Sequence, residues 1–142
     1  MPATFESFGI RFLYPDNWKE IERPEDEGHD GVTLEMPTGG FFTLEKDYEG
    51  QLAEEIIEEI VTSMAEEYGE MEQEDIELTG ASQHERAVDF RFYCLDLVVV
   101  SRLIIMMAGG NTLVLQIQAE SREFDDNELV FTALLKQIRD LL

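Results

Sequence analysis

Cysteine is nearly missing from this chain. Cys94 stands alone among 142 residues, so no disulfide can form within it. A lone thiol fits a reducing compartment. Lysine is scarce too, at Lys19, Lys46 and Lys136. Ten basic residues face 32 acidic ones, for a formal net charge of −22. Such a field repels phosphate backbones and anionic lipid heads, which excludes nucleic acid as a partner. No long hydrophobic run exists either. The most apolar stretch, Leu97 to Ala108, is interrupted by Arg102 and falls short of the roughly 20 residues that span a bilayer. Met1 to Ser7 offers no basic n-region and no apolar h-region. A cytoplasmic protein without membrane contact is therefore expected.

What is present points to a globular domain. Hydrophobic residues make up 44% and charged residues 30%. The length fits one domain over residues 1–142, large enough to fold without a disulfide or metal staple.

The apolar pattern alternates from the start. Phe8, Ile10, Phe12 and Tyr14 share one face of an opening strand, which Pro15-Asp16-Asn17 ends. Val32–Met36 and Phe41–Lys46 form a hairpin around the turn Pro37-Thr-Gly-Gly40. Gln51–Tyr68 reads as a helix, with Leu52, Ile56, Ile60, Met64 and Tyr68 on its apolar stripe and glutamates opposite. Gly69 suits the position just past its end. Strands follow at Asp75–Thr79 and Val88–Cys94, then a turn at Leu95-Asp96. Val98–Ala108 reads as a central strand covered on both faces. Gly109-Gly110-Asn111 turns the chain into a last strand. There Leu113, Leu115, Ile117 and Ala119 point inward, and Gln116, Gln118 and Glu120 outward. A second helix closes the chain. Asp125 is its predicted N-cap, Glu128 completes a capping box, and Phe124 with Leu129 forms a staple. Leu134, Leu135, Ile138 and Leu141 supply its buried stripe. The predicted order is β-β-β-α-β-β-β-β-α. Clustered strands with short turns make the class α+β, a mostly antiparallel sheet flanked by two long helices.

Motifs that could carry chemistry mostly fail on spacing. Asp26-Glu-Gly-His-Asp-Gly31 is not a calcium-binding helix-loop-helix, because Gly28 and Pro37 would occupy ligand positions. A looser metal site on Asp26, His29 and Asp30 is the alternative reading; it would make this a small metal-binding protein or metal-dependent enzyme. His84-Glu85 lacks the second histidine of a zinc protease motif. Gly80-Ala-Ser82-Gln-His84 lacks the last glycine of a nucleophile elbow and joins strand to strand. Cys94 has an inward phase, which favours packing over reactivity. Met106 and Met107 read as core filling rather than an adaptable binding surface. No catalytic residue and no cofactor is expected.

The opening Phe8-Gly-Ile-Arg-Phe-Leu-Tyr-Pro-Asp-Asn-Trp18 resembles the start of PsbP-like domains. These share a fold with the Mog-type Ran-binding import factor and the DcrB-like bacterial proteins. Gly9, Tyr14, Pro15 and Trp18 carry the likeness. The resemblance implies an α/β/α sandwich and a non-enzymatic role as adaptor, assembly factor or chaperone-like binder. Some DcrB-like members serve as chaperones for secreted effectors. The partner expected on these grounds is a protein, basic or apolar where it touches this chain.

Overall fold

A computed structural model describes residues 2–22, 30–108 and 111–142. The chain runs β1 (Ala3–Ser7), β2 (Ile10–Tyr14), β3 (Lys19–Ile21), β4 (Gly31–Glu35), β5 (Phe41–Asp47), α1 (Ala53–Tyr68), β6 (Glu72–Ile76), β7 (Arg86–Cys94), β8 (Leu97–Ala108), β9 (Asn111–Glu120), α2 (Ser121–Asp126) and α3 (Glu128–Asp140). Seven strands form one sheet in the order β3-β4-β5-β9-β8-β7-β6, and every pairing is antiparallel. β1 and β2 make a separate hairpin.

The alternation in the strands sorts side chains onto two cores. Val32, Leu34, Phe42, Leu44, Ile104, Leu113, Leu115 and Ile117 face the β1–β2 hairpin together with α2 and α3. Phe5, Ile10, Phe12, Phe124, Phe131 and Leu134 close that layer. On the opposite face Val88, Phe90, Phe92, Leu103 and Ile105 pack under Ile56, Ile57 and Met64 of α1. Tyr68 stacks on Phe92 with ring centroids 4.2 Å apart. The central strands are thus covered on both sides, which is why β8 is apolar at nearly every position.

Several local expectations need correction. The opening segment is a hairpin rather than one strand. Phe8 and Gly9 have φ of 38° and 81°, as a tight hairpin turn requires, so Phe8 leaves the strand face. Residues 19–21 form a short edge strand that carries no periodic signal. β6 begins three residues before its expected start and ends at Ile76. Leu52 precedes α1 and is exposed, not part of its stripe.

The closing helix is not one long element. It starts at Ser121 and breaks at Asn127, giving three helices in all among the described residues. Asn127 has φ −107° and ψ 6°, and its side-chain amide donates to the Glu123 carbonyl at 2.9 Å. This local bond competes with the helical ladder. The break lets Phe124 and Phe131 turn into one core with centroids 5.0 Å apart. Asp125 lies inside α2 and caps nothing; the Glu120 carboxylate accepts from the Arg122 and Glu123 amides instead, at 3.1 and 3.3 Å. Leu129 and Leu141 are exposed, so neither the staple nor the end of the predicted stripe forms.

Candidate functional site

Two buried ion pairs enter the interior among the described residues. Asp89 and Arg102 are direct cross-strand partners on β7 and β8. Arg102 donates from Nε to Asp89 Oδ1 at 2.8 Å and from a terminal nitrogen to Oδ2 at 3.0 Å. The guanidinium lies 4.9 Å over the Phe124 ring, and Glu128 stands 3.9 Å away. In the second pair Arg139 of α3 forks onto Glu85, at 2.9 and 2.6 Å, and also donates to the Thr79 carbonyl at 3.2 Å. The Asp89 and Glu85 side chains are each 3% exposed. Both carboxylates use both oxygens on an arginine, an arrangement that fixes geometry and offers no free base. The lone charge inside the apolar run, Arg102, was the sequence signal for the first pair. Nothing local marks the second, whose members are 54 residues apart.

The residues singled out for chemistry do not converge. Ser82 and His84 are exposed in the loop between β6 and β7, while Glu85 turns inward to Arg139. An open hollow of about 380 Å³ touches Ser82 and Glu85, but His84 is not on its wall. Of the acidic loop, Asp26 and His29 lie outside the described residues. Asp30 is exposed, and its carboxylate accepts a hydrogen bond from the Tyr48 hydroxyl. That bond, with the neighbouring negative charge, raises the Tyr48 pKa above the usual 10.0. Among the described residues no group of three or more histidine, cysteine or carboxylate side chains is placed to hold a metal. Cys94 is half-buried rather than sealed. Met106 is buried as expected and Met107 half-buried. Gln116 and Gln118 are only half-exposed; they reach Ser101 at 2.9 Å and the Tyr68 hydroxyl at 3.3 Å beneath α1.

No protein-family model and no curated protein matches the sequence. Solved structures do. The chain is similar to the solution structure of cyanobacterial PsbP (CyanoP) from Synechocystis sp. PCC 6803. The TM-score is 0.66 at 12% identity, over 96% of this chain and 90% of that one. The fold is PsbP-like. Two weaker likenesses accompany it. One is to PA94 from Pseudomonas aeruginosa, described as a putative regulator, with TM-score 0.47, 12% identity, and 92% and 91% of the two chains covered. The other is to LpqN of Mycobacterium tuberculosis, involved in cell envelope biogenesis, with TM-score 0.45, 12% identity, and 94% and 80% covered.

Within this PsbP-like fold the opening motif has structural work. Gly9 takes the left-handed position of the β1–β2 turn. The Trp18 amide donates to the Pro15 carbonyl at 3.1 Å, and the buried indole packs on Phe131 at 6.2 Å. Tyr14 lies 6.2 Å from Phe12 in the same layer. These residues tie the first hairpin to α3. No helix among the described residues is long and apolar enough to cross a membrane.

What sequence reasoning missed is on the surface. Tyr93, Leu95 and Leu97 surround the β7–β8 turn and are 76%, 92% and 46% exposed. An apolar hollow of about 370 Å³ lies between the first hairpin and α3, walled by Leu13, Tyr14, Leu129, Val130 and Ala133.

Proposed function

We propose that this chain is a non-catalytic binding or adaptor domain of the cytoplasm that works through protein–protein contacts. One observation carries the reading: the buried carboxylates Asp89 and Glu85 are locked in pairs with arginines, while large apolar side chains stand in solvent on an intensely acidic surface. Asp89 and Glu85 are held by arginines, so neither is free to move a proton. Leu95 and Leu129 instead present the kind of apolar anchor that partners bury. The PsbP-like fold is consistent with this role and supplies no activity of its own.

The test is co-elution. The protein drawn from its own cells at physiological salt is expected to elute together with at least one other protein. Repeated recovery of the bare chain would refute the reading. The rival metal reading on Asp26, His29 and Asp30 separates cleanly: calorimetric titration with calcium, manganese and zinc is expected to give no heat and no shift in unfolding temperature.

A further inference from the structure

The β7–β8 hairpin outruns its neighbours. β6 pairs with β7 only up to Arg91, and β9 pairs with β8 only from Val99 onward. Residues 93–98 therefore form a two-stranded tip with no described strand beside it on either edge, rooted in the core by the buried Phe92. Isolated two-stranded ribbons are marginal in water and ordinarily carry polar tips. This one is apolar: Tyr93, Leu95 and Leu97 are exposed, and Met71, Phe92 and Val98 line a hollow of about 420 Å³ at its root.

The turn itself works against the residue it holds. Leu95 and Asp96 have φ of 50° and 66°. Such turns favour asparagine, aspartate or glycine, and a leucine there is strained. The strain is not compensated by burial, since Leu95 is 92% exposed. The apolar hollow beside α3 differs in kind, because Leu129 sits in an ordinary helix. A leucine kept in a left-handed turn and open to water has its natural compensation outside this chain.

Charge selects the occupant. Glu70, Glu72 and Asp96 are exposed around the ribbon, and Arg91 at its root is paired with Glu74 at 3.4 Å. A second copy of this chain would set these carboxylates against their own duplicates, each copy carrying −22. Anionic lipid is repelled for the same reason. We infer that the Tyr93–Val98 ribbon is a docking knob for a different protein, one that offers an apolar pocket rimmed by lysine or arginine. This rests on the binding-domain reading above and adds its surface and the partner's chemistry.

The experiment places the photo-crosslinking residue benzoylphenylalanine at Leu95 and, in a second variant, at Leu129. Both are full-length chains expressed in the native cell. The expected result is an adduct at Leu95 with one protein whose contacting surface is basic. Its yield should fall about tenfold when Tyr93→Ser and Leu97→Ser are added, the effect of losing an apolar anchor. Leu95→Asn should likewise release that partner while leaving the unfolding temperature unchanged or higher. A lower unfolding temperature would make the leucine structural and overturn the proposal. So would an adduct to a second copy, or sedimentation with neutral phosphatidylcholine vesicles that the serine variant abolishes. Adducts at Leu129 alone would overturn the knob but keep the binding domain. Adducts at neither position would overturn both.

Discussion

Arg102 and Asp89 sit in a mostly apolar layer of side chains. Their value lies in mutual satisfaction. Breaking a buried pair strands a charge and costs about 3–5 kcal/mol, whereas an exposed pair is worth ~0–1 kcal/mol. Asp89→Ala should therefore lower stability by about 3–5 kcal/mol in denaturant unfolding. Lys136→Ala, which breaks the exposed 3.0 Å pair with Asp140, should cost no more than ~0.5 kcal/mol. The double variant Asp89→Leu, Arg102→Met should recover most of the loss, because no charge remains buried. A double variant as weak as Asp89→Ala would show that the pair is needed for packing rather than for neutralisation. Gly40 is a second residue whose role the structure explains. A Cβ there would lie 2.8 Å from the Gln118 carbonyl and 2.9 Å from the Ala119 Cβ. The β4–β5 turn can approach β9 only without a side chain at that position.

At the level of elements, periodicity located α1 and the long strands, and missed how the closing helical segment begins. Asp125 and Glu128 have capping-box spacing, yet the cap lies five residues earlier, on the carboxylate of Glu120. β9 runs directly into the helix, so its last residue serves as the cap. Glu120→Ala should cost about 1 kcal/mol, the usual worth of a cap, and Asp125→Ala should stay within ~0.5 kcal/mol. Equal losses from the two substitutions in thermal unfolding would contradict this assignment. The Asn127 break was equally hidden, since asparagine at a helix interior and asparagine at a hinge look alike in sequence. Its side-chain bond to the Glu123 carbonyl decides between them.

For the molecule as a whole, charge dominates behaviour. Acidic side chains cover α1, β6 and the exposed loops, and few basic groups offset them. Compaction brings these charges together, so repulsion is stronger in the folded state than in the unfolded one. The unfolding midpoint should rise as salt increases from ~0.05 to ~0.5 M, because the Debye length shrinks toward the spacing of the surface charges. Most of the gain should come at the low end of that range. A midpoint that falls with salt would mean that attractive pairs, such as Arg86 with Glu54 and Asp75, outweigh the repulsion.

The sequence by itself determined the class of the protein. Strand alternation and the α1 stripe are local periodicities, and the tally of charges needs no coordinates. The opening motif also pointed to a PsbP-like fold, because its glycine, proline and tryptophan set a turn and an anchor within a few residues of each other. Only the tertiary structure decided which charges neutralise one another, since Glu85 and Arg139 meet through packing of distant elements. It alone showed Gln116 and Gln118 partly covered by α1, because the pattern along one strand cannot say what lies above it. The exposed ribbon was hidden for the same reason. The turn at Leu95 was legible, but only the registers of β6 and β9 show that neither strand reaches Tyr93, Leu95 and Leu97.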